Sequence, residues 1–408
     1  MRLPDDVIGQ ICAHVPLKER LSICNAVSKT FRTEAQRLGG RLSLVKEATS
    51  SQPPSWTWSQ DGVSFGLSDA HGAPHPTMHC TELELTGFAA SKVTMQETLL
   101  AHRGVRKLSL ELCTGELLPW LSALRPLEAL KTLEWNNSAV PFQVAMTAVA
   151  SMRSLQHVHF KICLTPQWHP YSTAQLRSAL LPVGLLAAIP TLRHLSLMEG
   201  PREGEGESDV QLFGYEAQYH KSELDCDEDV ISGLCLGLSA LHQVTAIECD
   251  MIGDWCGSFA DAFSFMLARL PGLRELGEVF FLRVATWESL RRALPPTGHP
   301  SLERLRLRFS EPEDDELETM AQSVCNVFPH LREIDLQIHN THQNSEKVAQ
   351  LLNGLREHPR LHRVYIDLDC TDDQSLAQLQ VVFGGLAAIV EVAVVYTLPP
   401  CGQVLFRE

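Results

Sequence analysis

The sequence predicts an α/β solenoid, a horseshoe with parallel strands on its concave face and helices on its convex face, preceded by a small all-α module. Three observations predict it. The pattern apolar-x-x-apolar-x-apolar recurs from Cys80 onward; its instances fall at nearly constant intervals; and the stretches between them carry apolar residues at three and four spacing, as a helix with one buried face requires. Steady alternation of strand and helix implies parallel strands, and right-handed crossovers coil them into one array. A chain of 408 residues exceeds the roughly 250 to 300 at which a single core stops growing. An array escapes that limit because each unit contacts only its neighbours.

The instances read Cys80/Leu83/Leu85, Val105/Leu108/Leu110, Leu130/Leu133/Trp135, Leu155/Val158/Phe160, Leu192/Leu195/Leu197, Val244/Ile247/Cys249, Leu302/Leu305/Leu307, Leu331/Ile334/Leu336, Leu361/Val364/Ile366 and Ile389/Val392/Val394, with a degenerate one at Leu273/Leu276. Between middle residues the intervals are 25, 25, 25, 37, 52, 29, 29, 29, 30 and 28. Phe259 to Leu270, Glu316 to Val327 and Ser345 to Glu357 suit helices between strands. This spacing resembles that of leucine-rich repeats with helices, in which the next apolar position after the strand is Asn or Cys. Cys113 and Cys163 stand there. The other repeats place different residues at that position, so the likeness lies in spacing more than in an asparagine ladder. The resemblance implies about eleven repeats over residues 80–397, followed by a tail over 398–408.

The intervals of 37 and 52 mark insertions. The longer contains an acidic, Gly-rich stretch at 199–229, with GPREGEGESD and ELDCDED, which reads either as a solvated excursion or as a recruiter of a basic partner.

Side chains that alternate with the buried strand residues point to the concave side. They give a candidate substrate-binding surface of His157, His159 and Lys161, then Arg304, Arg306 and Arg308, then Tyr365. Strands about 4.8 Å apart set Arg304 opposite Glu333 and Arg306 opposite Asp335. Two readings stay open: the arginines are neutralised by neighbouring carboxylates, or they form a mixed-charge docking surface in which Arg308 and Tyr365 remain available to a partner.

Ahead of the repeats, residues 3 to 38 read as three short helices, stopped by Gly39-Gly40. Three helices this short bury little alone and need a partner. The string LPDDVIGQICAHVPLKERLSICNAVSKTFR resembles the F-box, which opens on Leu-Pro, runs through paired aliphatics and closes on Val-Cys/Ser-Lys-x-Trp/Phe-Arg; here the close is Val27-Ser28-Lys29-Thr30-Phe31-Arg32. The likeness covers residues 1–40. It departs from the pattern in Phe31, where Trp is commoner, and in one extra residue between Pro16 and Val27. By resemblance, Leu3, Pro4, Ile8, Ile11, Val15, Leu17, Leu21, Val27 and Phe31 are the candidates for packing against a Skp-type adaptor; the alternative is that they form the module's own core. Between module and repeats, in a linker over 41–79, SWTWSQDGVSFGL alternates around Asp61-Gly62, the signature of a two-residue hairpin. Its Trp56, Trp58, Val63 and Phe65 would cap the first repeat.

Composition narrows the function. A formal charge of -15 disfavours nucleic acid and anionic membranes, which attract clustered Lys and Arg. The N-terminus opens without the apolar run of a signal peptide. No apolar stretch approaches the roughly 20 residues a membrane span needs. Twelve cysteines scattered through apolar stretches without a C-x-x-C pair suit reduced core thiols and a cytoplasmic or nuclear protein. No phosphate loop, dinucleotide fingerprint, zinc-helix or nucleophile-elbow motif occurs, so neither an enzyme nor a cofactor is expected. His71, His75 and His79 have a tempting spacing, but Pro74 and Pro76 break any helix that would align them on a metal.

The two resemblances together imply the substrate-recognition subunit of an SCF (Skp-cullin-F-box) ubiquitin ligase. The F-box would bind the adaptor and through it a cullin, and the repeats would hold a protein substrate. The alternatives are a non-catalytic scaffold or adaptor and, as among plant hormone receptors, an F-box receptor completed by a small molecule.

Overall fold

In the computed structural model of the chain, the residues described are 41–45, 55–60, 63–67 and, with short gaps, 80–162, 180–199, 228–250, 259–309, 316–338, 345–369, 379–384 and 391–407. The three-helix module and its nine candidate adaptor contacts lie outside them, as do Cys163, His71, His75, His79 and most of the acidic stretch.

The chain divides into two compact units, residues 1–163 with 188–192, and residues 164–187 with 193–408. The first holds β1 (Arg41–Val45), β2 (Ser55–Gln60), β3 (Val63–Leu67), β4 (Glu82–Thr86), β5 (Lys107–Glu111), α1 (Leu117–Leu124), β6 (Thr132–Asn136), α2 (Phe142–Ala150) and β7 (His157–Ile162). Its sheet runs β3-β2-β1-β4-β5-β6-β7, parallel from β1 onward through β4. In β4, β5 and β6 the apolar residues of the repeat pattern are buried and their neighbours are half-exposed or exposed, so one sheet face packs on helices and the other is open. Trp120 of α1 lies against Trp135 of β6 with ring centroids 4.6 Å apart, and Trp135 against Phe160 of β7 at 6.1 Å. Past β5, the buried Cys113 directs its Sγ at the carbonyls of Leu85 and Glu111. The thiol there satisfies backbone acceptors of two successive repeats, the physical task of a polar ladder position.

The second unit holds a 3₁₀ segment (Leu181–Ala188), β8 (His194–Glu199), α3 (Glu228–Leu238), β9 (Ala246–Cys249), α4 (Phe259–Arg269), β10 (Glu275–Phe280), α5 (Val284–Ala293), β11 (Arg304–Phe309), α6 (Glu316–Val327), β12 (Glu333–Ile338), α7 (Ser345–Leu355), β13 (Arg363–Asp369), β14 (Glu391–Leu398) and β15 (Gly402–Arg407). Strands β8 to β14 follow one another in parallel, each bonded to the next. Neighbouring helices pack in the same succession. The 3₁₀ segment and α3 approach at Gly184 and Gly237, where a Cβ on Gly237 would meet the Leu181 carbonyl at 2.7 Å. In each unit the strands form an open α/β arrangement compatible with a solenoid.

Four expectations change. Residues 41–45 belong to the sheet as β1, which stands between the hairpin and β4; Leu42 and Leu44 supply two of the three pattern residues, but Gly39 replaces the first. The hairpin forms across Asp61-Gly62, with Gln60 opposite Val63, and therefore pairs with β1 instead of capping the first repeat directly. The tail is a strand: Gly402–Arg407 carries the apolar run Val404-Leu405-Phe406 and pairs antiparallel with β14. Glu199 ends β8 and Glu228 and Asp229 begin α3, so the acidic insertion is shorter at both ends than its composition suggested.

The degenerate repeat has a physical cause. Between Leu276 and Val279 the register of β10 against β11 shifts by one residue. Gly277 and Glu278 together oppose Arg306, a β-bulge. The second inward side chain is consequently Val279, one place later than the pattern requires, and it is fully buried.

Candidate interaction face

The open face of each sheet carries the polar side chains that alternate with the buried ones. In the first unit β7 presents His157, exposed, with His159 and Lys161 half-exposed. Lys107 Nζ of β5 lies 2.6 Å from Glu134 Oε1 of β6. Both histidines have partners within the protein.

In the second unit the first outward position of successive strands reads Glu275, Arg304, Glu333, Arg363 and Glu391, alternating in sign across five neighbouring strands. Arg304 Nη2 bonds Glu275 Oε1. Arg363 reaches Glu333 at 3.4 Å and Glu391 at 3.0 Å. The hydrogen bond to Glu391, followed by the charges of Glu391 and Glu333, raises the pKa of Arg363 further above its ordinary value. The second outward row holds Glu248, Gly277, Arg306, Asp335 and Tyr365. Arg306 Nε donates to Asp335 Oδ2 at 2.7 Å. A Cβ on Gly277 would sit 3.3 Å from Glu248 Cγ and 4.0 Å from Arg306 Cβ, so the glycine leaves room for both flanking side chains. On its other side, Glu248 Oε2 is 3.5 Å from His194 Nε2.

The expected register is present: Arg304 stands opposite Glu333 and Arg306 opposite Asp335. One of the two anticipated pairs is not made. Arg304 turns to Glu275 on the other side, while Glu333 is held by Arg363; in an alternating row every arginine has two carboxylate neighbours, and register alone does not choose between them. Arg308 and Tyr365, which the docking-surface reading left available to a partner, have partners within the protein. Tyr365 aligns with Asp335, which aligns with Arg306, so the tyrosine and Arg306 are two strands, about 10 Å, apart. Strand β7, with His157, His159 and Lys161, lies in the first unit. Sequence reasoning missed the role of Gly277, because the bulge conceals the alternation around it.

Chemically, this surface offers guanidinium and carboxylate groups already matched to one another, suited to meeting a partner surface of mixed charge over several strands. Among the described residues no group of three or more His, Cys, Asp or Glu side chains is arranged to hold a metal ion, and no helix is long and apolar enough to cross a membrane. The described cysteines carry free thiols. Burial pushes those of Cys80 and Cys235 up to about 12, which keeps them protonated and poor nucleophiles. Compared with protein-family models and with curated proteins, the sequence matches none.

Proposed function

We propose that the chain is the substrate-recognition subunit of an SCF-type ubiquitin ligase. Residues 1–40 dock a Skp-type adaptor and through it a cullin, and the repeats, coiled as a leucine-rich-repeat horseshoe, hold a protein substrate. The observation that carries this reading is the ordered set of F-box elements from Leu3-Pro4 to Phe31-Arg32. An extended polar sheet face downstream supports it, because repeats of this kind build surfaces more readily than closed pockets. In this role the protein supplies proximity and orientation to a bound conjugating enzyme and makes no bond itself.

Calorimetry with a purified Skp-type adaptor tests the proposal. Nanomolar to micromolar binding is expected for the native chain and should vanish in the Ile8→Asp plus Val27→Asp variant, with the far-UV dichroism of the repeats unchanged. A well-folded native chain that does not bind the adaptor rules out the ligase role and leaves a repeat scaffold.

A further inference from the structure

Eight of the described strands are entered through tight turns whose hydrogen bonding differs between repeats. In six of them the N–H of the residue that opens the strand pattern donates to the carbonyl three residues back: Val105 to His102, Leu130 to Leu127, Leu192 to Ile189, Val244 to Leu241, Leu273 to Leu270 and Leu331 to Phe328. Before β11 and β13 a side chain takes over. The N–H groups of Ser301 and Leu302 point to His299 Nδ1 at 3.4 and 3.2 Å, and those of Arg360 and Leu361 to His358 Nδ1 at 3.2 and 3.1 Å. The opposite nitrogens close the arrangement on the preceding repeat, His299 Nε2 with the Leu270 carbonyl at 3.2 Å and His358 Nε2 with the Phe328 carbonyl at 3.0 Å.

Backbone N–H can only donate and a carbonyl can only accept, so both rings are neutral, with the proton on Nε2. Both are buried. A second proton would go to Nδ1 and set a donor against two backbone donors. The ring would then have to leave, taking with it the turn that starts the strand.

We propose that His299 and His358 form an acid-sensitive latch on the turns into β11 and β13, closed while the imidazoles are neutral and opened by protonation. The charged neighbours do not oppose opening. Around His299, the turn after α4 carries Arg269 and Arg274, both exposed, and the turn after α6 carries exposed Arg332 and half-buried His330. His330 acts against a charge on His299 and accepts a bond from Arg360 Nη1. Its own segment carries half-exposed Glu303. His358 faces the same turn with His330 and Arg332, and is flanked by exposed Glu357, Arg360 and His362. Burial, the largest influence on both rings, lowers their pKa below the ordinary histidine value. A lowered pKa in the closed state means the open state binds more protons. The latch is therefore fully closed above about pH 6.5 and loosens as pH falls from there towards the closed-state pKa. Where β11 and β13 hold a partner, as proposed above, acid weakens the hold; the latch itself does not depend on that reading.

Hydrogen exchange on the full chain tests it, at pH 7.5 and 5.5 with labelling times scaled for intrinsic exchange. Peptides covering 299–305 and 358–364 should lose protection by up to about tenfold per pH unit below 6.5 for each ring, beyond the change at the Leu127 and Ile189 turns, which neither histidine touches. Replacing both residues by the leucine another repeat already uses, His299→Leu and His358→Leu, should remove the excess. Equal pH dependence at all four turns overturns the latch. Ring ¹⁵N shifts of the native chain provide the check that needs no variant: Nε2–H rings titrating below the ordinary value support it, and titration at or above about 6.5 sinks it.

Discussion

From β4 to β7 the strands recur every 25 residues, whereas from β9 to β14 the interval is 28 to 30. The strands themselves hardly change, five or six residues through most of both runs; the difference falls on the helices. α1 and α2 hold eight and nine residues, and α4 to α7 hold 10 to 12. A short helix brings fewer side chains inward: α1 buries Trp120, Ala123 and Leu124, while α4 buries six residues. The first unit fills the deficit from the sheet. Its second inward strand position holds Trp135 in β6 and Phe160 in β7, where β11, β12 and β13 hold Leu307, Leu336 and Ile366. Interior density is nearly constant in folded proteins; β4 and β5 keep Leu85 and Leu110 at this position, so the larger residues enter only where α1 and α2 pack, at Trp135 and Phe160.

That compensation makes Trp135 the most costly position to truncate. Trp135→Ala should destabilise the protein by about 3–5 kcal/mol, and Leu307→Ala by about 2–5 kcal/mol towards the lower end, followed by denaturant unfolding with far-UV dichroism. A cost below about 1 kcal/mol at Trp135 would break the comparison, because it would mean that α1 and α2 fill the space unaided.

The same reasoning explains which parts of the fold were legible. Ten clean pattern instances located strands because inward residues must be apolar at a fixed period. β10 was blurred by its bulge at Gly277-Glu278. β1 was lost because Gly39 stands where the pattern needs an apolar residue, and β15 because an antiparallel terminal strand obeys no repeat period. On the open face, register was readable and so was the Arg306–Asp335 pair. The turn of Arg304 towards Glu275 was not, since it depends on a side-chain choice between two equivalent neighbours. The latch histidines left a trace, His-Pro three residues before a pattern leucine at 299 and 358, but Pro also follows Ile189, Leu270 and Phe328, where the backbone makes the turn instead.

A second difference sits just before the first latch. Gly298 has a φ of 74°, a left-handed conformation that side chains disfavour. A Cβ there would meet Pro329 Cδ at 2.6 Å and the carbonyls of Val327 and Asn326 at 2.7 and 2.8 Å. The corresponding residue before His358 is Glu357, exposed to solvent. Gly298→Ala should therefore cost roughly 1–3 kcal/mol from overpacking and strain, and Glu357→Ala less than about 0.5 kcal/mol. Equal effects in thermal unfolding would mean that the two turns are built alike despite their glycine difference.

The smallest expected effect concerns the open faces. Lys107–Glu134 in the first unit is a single cross-strand pair, whereas Arg306–Asp335 in the second lies beside a row of alternating charges. Arg306 is 39% exposed and Asp335 22%, so solvent screens their attraction even at 2.7 Å. A double-mutant cycle with Arg306→Ala and Asp335→Ala should return a coupling below about 1 kcal/mol that shrinks with added salt. The arginine row then adds little to folding, and its matched charges act mainly in choosing what can lie against the face, since a partner must replace each internal pair it breaks with one of its own. A coupling above about 2 kcal/mol, insensitive to salt, would instead assign the row to stability.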